Sequence, residues 1–356
     1  MQFDRILITG GAGFVGSSLA LLFQGRLPHA TVIAADNLQR RGGELNLPRL
    51  RDAGVAFEHV DIRVADDLDR LPDFDLLIDC AAEPSVQSGT SGSPRYVLDT
   101  NLAGTINCLE AARKRAAAFL FLSTSRVYPI APLNALPYKE CETRFCWEAA
   151  ADVPGFSKHG VAEEFPLSGA RSYYGASKLS SELLIQEYVF NSGLRGLINR
   201  CGILAGPWQM GKVDQGVVTL WVARHQFGQP LQYIGFGGQG KQVRDMLHID
   251  DLFELLCRQI ESPQLWDGRV YNVGGGNGVS ASLCELTELC RDVTGNRVDI
   301  AAVPETHGVD LRIYLTDARR VTEEFGWSAR HSVRTIVEDV HAWLTDHHDD
   351  LKNVLG

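Results

Sequence analysis

Tyr174 and Lys178 stand four positions apart in the run Ser172-Tyr173-Tyr174-Gly175-Ala176-Ser177-Lys178, one turn from each other on a helix face. In that register an ammonium stabilises a phenolate and lowers the phenol pKa toward working pH, so Tyr174 can take a proton from a substrate hydroxyl. Tyr173 is out of register and reads as a packing or substrate-contact residue. The pattern alone is weak, an exposed helix start being the plain alternative. Its position after the strand-like end Leu122-Ser123-Thr124-Ser125 strengthens it, because those hydroxyls can bridge a substrate hydroxyl and the phenol.

A second cluster binds rather than reacts. Thr9-Gly10-Gly11-Ala12-Gly13-Phe14-Val15-Gly16 follows an apolar run and opens a helix pattern, the context a dinucleotide loop requires. Gly10 permits the tight turn, Gly13 lets backbone approach a pyrophosphate, and Gly16 allows close helix-strand packing. The helix start at Phe14 and Val15 favours the phosphate charge. The spacing is GxxGxxG rather than the GxGxxG of typical dehydrogenases. Twenty positions on, Asp36 ends the second strand beside Asn37, where a carboxylate accepts hydrogen bonds from ribose hydroxyls and favours NAD over NADP. Arg40 and Arg41 stand nearby and are placed to meet a 2′-phosphate. Asp61-Ile62 closes the third strand, either meeting an adenine amino group or serving as an ordinary strand end. With NAD as cofactor, oxidised nicotinamide also helps stabilise the phenolate.

The elements needed to position these groups are legible as alternation. Strand-like runs at 5–9, 31–35, 55–60, 75–79, 118–122 and 196–199 alternate with helix-length stretches such as 14–23, 96–115 and 175–190. Such alternation implies right-handed crossovers and an α/β, Rossmann-type, doubly wound parallel sheet. Beyond residue 200 come a helix at 215–227, short strands near Leu231 and Val243, a helix after Asp250, and Gly274-Gly275-Gly276. We therefore expect an NAD-binding domain over 1–200 and a smaller C-terminal α/β substrate lobe over 201–356, with some segments returning to the first domain. Residues 138–168 have prolines, two cysteines and many charges without periodicity, and read as an ordered active-site excursion longer than common connections. Helix 333–344 has apolar spacing that reads as core packing.

Of the 356 residues 45% are apolar and 22% charged, which suits a packed globular chain rather than a disordered one. The formal charge of −10 without a basic tract argues against a nucleic-acid partner. No apolar run reaches membrane length, so a cytoplasmic protein without a membrane partner is expected. Eight cysteines show neither paired metal-ligand spacing nor the density of a secreted disulfide scaffold. Most read as buried thiols, zinc at Cys141 and Cys146 is not expected, and no metal is assigned.

The glycine loop, Asp36, the Ser123-Thr124-Ser125 strand end, Val127-Tyr128 and the stretch from Tyr174 to Lys178 together resemble the extended short-chain dehydrogenase/reductases, especially nucleotide-sugar epimerases and dehydratases. The resemblance spans nearly the whole chain. Alignment on Val127-Tyr128 implies that Thr124 is the catalytic hydroxyl, and Asn101-Leu102-Ala103-Gly104-Thr105 matches the Asn-x-x-Gly-Thr signature, implying an active-site role for Asn101. It further implies cofactor contacts at Ala81, Ala82 and Cys201 and a sugar contact at Asn199. Glu142-Thr143-Arg144-Phe145, Asp214-Gln215-Gly216 and the run from Gly240 to His248 look like the CDP-paratose (tyvelose) 2-epimerases. In that group Arg244 would contact the substrate diphosphate, as a planar guanidinium suits phosphate oxygens, and Arg144 and Gln215 would also bind substrate. The alternative for Arg244 is an ion pair with Asp245 or Asp250. Two departures stand out: His307 where an arginine is common, and Asn199-Arg200-Cys201-Gly202 in place of a His-Ser-Ser context.

The resemblance implies redox-neutral epimerisation at C2 of a nucleoside-diphosphate hexose, most simply a CDP-sugar, with NAD retained and a homodimer or homotetramer as the working form. A 4-epimerase is the nearest rival, because the same residues serve any accessible hydroxyl. A 4,6-dehydratase needs an Asp-Glu pair beside the catalytic threonine, where Ser125-Arg126 stands, and a sugar-acid decarboxylase usually has Glu at the place of Arg126. A non-catalytic NAD-binding sensor or scaffold is the reading of another class. The intact Thr124, Tyr174 and Lys178 argue against it.

Overall fold

The structure is a computed structural model describing residues 3–148, 152–211 and 215–355. Its first five sheet strands are β1 (Arg5–Thr9), β2 (Thr31–Asp36), β3 (Ala56–His59), β4 (Leu76–Asp79) and β5 (Ala118–Thr124). Two later strands, Gly196–Cys201 and Asp267–Val273, complete a seven-stranded sheet. From one edge the order runs Asp267–Val273, Gly196–Cys201, β5, β4, β1, β2, β3. Pairing along β5-β4-β1-β2-β3 is parallel throughout, with Leu7 opposite both Ile33 and Leu77. The strands are short apolar runs because helices cover both faces of such a sheet. Leu7, Phe74, Leu77, Leu109, Phe119, Phe121 and Ile198 belong to one core cluster. The chain reverses between β1 and β4, and the carboxyl ends flanking that point carry the glycine loop and Ala81.

Contacts divide the chain more finely than a single boundary near residue 200. One unit comprises Met1–Val127, Ser172–Arg200 and Phe253–Tyr271, and the other Tyr128–Arg171, Cys201–Leu252 and Asn272–Gly356. The expected excursion therefore groups with the second unit, and the two units are of about equal length. The excursion is also less irregular than its sequence. It holds the hairpins Tyr138–Glu140/Phe145–Trp147 and Phe156–Ser157/Gly160–Val161, whose two- and three-residue strands are too short to leave a periodic pattern. Cys141 and Cys146 are joined by a disulfide at the end of the first hairpin, a pairing the sequence reading did not contain. Of the six free cysteines, Cys108, Cys201 and Cys290 are buried and the other three half-buried, so burial is less general than expected.

Within the second unit the strand Val243–His248 pairs with Ile203–Ala205, Ser280–Ser282 and Ile313–Tyr314. Gly275 presses against it: a side chain there would put Cβ 2.2 Å from the Met246 carbonyl oxygen. Helices Val217–Gln226, Leu283–Thr294 and Val333–Asp346 pack on one another, the last through Ile336, Val337 and Val340. No helix among the described residues is long and apolar enough to cross a membrane.

The helix expected over 96–115 is interrupted. A π turn at Asp99–Ala103 separates Arg95–Leu98 from Gly104–Lys114. Asn101 explains the break, because its side chain accepts from the Glu83 N–H at 2.7 Å and donates to the Glu83 carbonyl at 3.0 Å. Its own carbonyl accepts the hydroxyls of Thr105 and Ser181.

Candidate active site

In the first unit the glycine loop joins β1 to the helix Phe14–Arg26. Gly10 has φ +62°, and its carbonyl accepts from the Gly13 N–H at 2.9 Å. A Cβ on Gly16 would lie 2.1 Å from that same carbonyl oxygen, so the helix can sit this close only without a side chain. Gly13 is the helix N-cap; no side chain caps it and the first turn, with Phe14 and Val15, holds no acid. Backbone N–H groups and the positive end of the helix dipole are thus left to a phosphate. Ala81 flanks the loop, 3.0 Å from where a Gly10 Cβ would stand, and the half-buried Ala82 follows it.

The Asp36 carboxylate, at the end of β2, is tied into this cradle. It accepts from the Ala12 N–H at 3.1 Å and the Leu38 N–H at 2.7 Å. Burial raises its pKa, and these donors oppose that rise. Asn37 donates to Asp61 at 3.3 Å, and Arg63 grips Asp61 with Nη2 at 2.5 Å from Oδ2. The Arg63 contact is the main reason the Asp61 pKa falls to about 2. Ile62 packs against Gly104, which has no room for a side chain beside it. Sequence reasoning missed Asn46, which donates to the Ala12 carbonyl at 2.9 Å and accepts from Arg49 at 2.5 Å. The donor set, the uncapped helix start and the carboxylate at the strand end fit NAD.

The groups that would react lie in the same unit. Ser172 caps the helix Tyr173–Ser192 by accepting from the Gly175 N–H, which fixes Tyr174 in the first turn. That helix packs on β5 and on the turn Ser125–Val127. Thr124 ends β5, buried, with its hydroxyl accepting from the Arg126 N–H at 3.2 Å. Tyr174 is half-buried, while Tyr173 is exposed. Lys178 is buried, its ammonium 3.9 Å from the centroid of the Phe121 ring.

A buried ion pair unseen in the sequence backs this group. Glu182, one turn beyond Lys178, accepts from Arg200 at 2.7 Å and 3.1 Å and from the Ser123 hydroxyl. It ties the helix to β5 and to the strand Gly196–Cys201. Asn199 is fully buried in a reciprocal amide pair with Gln259, both bonds being 2.8 Å. Both ends of its amide are thereby engaged, and it acts as a tie between two segments of the unit.

The remaining expected residues fall in the second unit. Cys201 is buried. Arg144 lies between the two disulfide-linked cysteines and holds Glu285 through Nε at 2.8 Å and Nη2 at 2.5 Å. It also donates to the Ser280 hydroxyl and carbonyl. Glu285 is in turn the capping-box acid of the helix Leu283–Thr294, so Arg144 fastens the hairpin to a helix start. Arg244 pairs with Asp310 at 3.0 Å and donates to the Leu311 carbonyl at 2.6 Å. Gln215 is half-buried with its Oε1 enclosed and unpartnered, and Asp214 lies outside the described residues. Among the described residues one group of possible metal ligands occurs, His248, Asp250 and His331. The Asp250 N–H donates to His248 Nδ1 at 3.1 Å, which leaves the proton of a neutral ring on Nε2, 3.5 Å from Asp339.

Residues 6–274 match the model of the NAD dependent epimerase/dehydratase family. The chain is 30% identical to CDP-paratose 2-epimerase of Salmonella typhi, over 96% of this chain and 99% of that one. It is 28% identical to dTDP-glucose 4,6-dehydratase of Salmonella typhimurium, over 98% and 95% respectively. Among solved structures, a dTDP-glucose 4,6-dehydratase of Streptomyces venezuelae with NAD bound superposes with TM-score 0.79 at 26% identity, over 98% of this chain and 99% of that one. A UDP-glucuronic acid 4-epimerase of Bacillus cereus, in complex with UDP-glucuronic acid and NAD, gives 0.78 at 23% identity, over 96% and 99%, a likeness of fold alone.

Proposed function

The chain belongs to the NAD dependent epimerase/dehydratase family, and from that premise we propose that it inverts C2 of a CDP-hexose through a transient keto sugar, with NAD retained. The observation that carries this reading is the company Thr124 keeps. Thr124, Tyr174 and Lys178 belong to the unit that bears the glycine loop, and the two residues after Thr124 are Ser125 and Arg126. Neither can remove a C5 proton as a carboxylate would, which disfavours dehydration. The full-length similarity to a CDP-paratose 2-epimerase favours C2 over C4.

Bound NAD supplies a hydride acceptor that can give the hydride back. The chain's own part is proton handling and positioning. Tyr174, as phenolate, takes the proton of the C2 hydroxyl, and the Lys178 charge keeps that phenolate accessible near neutral pH. Thr124 donates a hydrogen bond to the same substrate oxygen. After the flat 2-keto sugar has turned, Tyr174 returns the proton to the oxygen, now on the other face. Asn101, to which the resemblance assigns an active-site role, is held in place by its two bonds to Glu83. Arg244 and Arg144 are the groups we assign to the nucleotide diphosphate side and Gln215 to the sugar; such an assignment requires the two arginines to share their donors with Asp310 and Glu285. We take the working form to be a cytoplasmic homo-oligomer.

The test is a panel: purified protein without added NAD, incubated with CDP-, UDP-, GDP- and dTDP-hexoses, with products read by NMR. Inversion at C2 of a CDP-sugar is expected. Inversion at C4 would make it a 4-epimerase, loss of water a dehydratase, and no conversion of any sugar a scaffold.

A further inference from the structure

Lys178 and Phe121 meet where water does not reach, Lys178 being 2% exposed and Phe121 0%. An ammonium stripped of water loses its hydration, and burial by itself drives a lysine toward the neutral form. An aromatic face offsets part of that loss, because the ring quadrupole is negative there, and 3.9 Å from ammonium to centroid is well within its range. The ring is itself held, stacked at 21° on Phe119 with centroids 6.3 Å apart. Alternation along β5 puts Phe119, Phe121 and Ser123 on one face. Two of these touch the catalytic helix: Phe121 at Lys178, and Ser123 at Glu182.

We infer that Phe121 is a positioning residue for the Tyr174–Lys178 pair: its ring face holds the Lys178 ammonium charged and in place, one helical turn from Tyr174. The inference rests on the proposed reading of Tyr174 and Lys178 as the acid–base pair. Other ionisable groups act around the same lysine. Asp79 of β4 is buried and accepts the Thr9 and Thr105 hydroxyls at 2.7 Å and 3.0 Å. The Cys108 thiol on the helix Gly104–Lys114 is pushed up by burial and by Asp79 and drawn down by Lys178, so both charges reach it. On the lysine's own helix, Glu182 is matched by Arg200. On the other elements packed there, Asp99 is matched by Arg95, Glu110 by Arg113 and Lys114 by Asp69, and Arg126 stands on the turn after Thr124. Asp79 is a carboxylate whose charge reaches the same thiol as that of Lys178. The ring differs from it in adding no charge that could take the proton of the catalytic tyrosine.

The experiment replaces Phe121 with mono-, di- and trifluorinated phenylalanine, which keeps the ring's shape while draining its quadrupole. Lys178 is titrated by NMR in the NAD-loaded protein, and kcat and KM are measured beside it. The expected result is a Lys178 midpoint that moves down with each fluorine. With three fluorines kcat falls about tenfold near neutral pH while KM for the sugar is unchanged. The acid limb of kcat moves to higher pH, because a weaker ammonium field stabilises the phenolate less. A titration indifferent to fluorine, with activity lost only in Phe121→Leu, would overturn the inference and leave the ring as packing. A wild-type protein that converts no nucleotide sugar would instead sink the acid–base reading, while the Lys178 titration would still decide what the ring does.

Discussion

In the proposed mechanism Tyr174 acts as a base only while Lys178 holds a charge one turn away, so the two residues are expected to fail differently. Tyr174→Phe keeps the helix start and the Ser172 cap but has no ionisable oxygen. We expect kcat to fall by about 10²–10⁴-fold with NAD still bound, read from steady-state turnover and from nucleotide released on denaturation. Turnover at the wild-type rate would remove Tyr174 from the mechanism. The positions proposed to react and to cradle phosphate could be picked out because their geometry is local in sequence, in the spacing of Tyr174 and Lys178 and of Gly10 and Gly16. Their supports were not legible. Asn46 answers Ala12 across 34 residues, Gln259 meets Asn199 across 60, and Glu285 meets Arg144 across 141. No local pattern marks such partners. Gly11, passed over in the loop, belongs with them, since a Cβ there would meet Ala34 at 2.7 Å on the neighbouring strand.

The elements hold the site by a few buried polar ties. Glu182 and Arg200 are 2% and 5% exposed at their side chains and join the helix Tyr173–Ser192 to the strand Gly196–Cys201. Removing one partner leaves the other charge buried and unmatched. Glu182→Gln should therefore cost about 3–5 kcal/mol in urea unfolding, and adding Arg200→Met should restore most of it. Equal losses in the single and double variants would show that packing, not charge, is what the pair provides. In the second unit Asp245 stands fully buried on the strand Val243–His248, accepting from the Gly276 N–H at 3.0 Å, and burial pushes its carboxyl up to about 6. The folded chain then binds more protons at this group than the unfolded chain does. Its stabilising contribution is present below the ordinary value of 3.8 and lost as pH rises through about 6, a change of ~3 kcal/mol. Asp245→Asn should flatten the pH dependence of unfolding in that window, and parallel curves for the two proteins would contradict the assignment. The alternation of strands and helices was readable because central strands of a parallel sheet are apolar on both faces. The π turn at Asp99–Ala103 was not, since it follows from the Asn101 clamp on Glu83 rather than from periodicity.

At the scale of the whole chain, the sheet is finished by residues that arrive late in sequence. Strand Asp267–Val273 forms one edge, Trp266 packs on Phe3, and Phe253 packs edge-on against Phe23 with ring centroids 5.0 Å apart. A fragment ending at residue 200 lacks all three. We expect it to remain without cooperative unfolding or NAD binding by circular dichroism and calorimetry; a folded, NAD-binding fragment would contradict this. The looser order of elements beyond residue 200 suggests that some segments return to the first unit but does not locate 253–271, because the helix Ile249–Ile260 that leads into it looks like any amphipathic helix. The central claim is that the chain returns a hydride to the carbon it came from, on the opposite face. Its most direct test is a CDP-hexose deuterated at C2, incubated in ordinary water with the protein carrying its own NAD and followed by NMR. The account predicts inversion at C2 with the deuterium still on C2. Loss of the label to solvent, or inversion at C4 with C2 untouched, would contradict it.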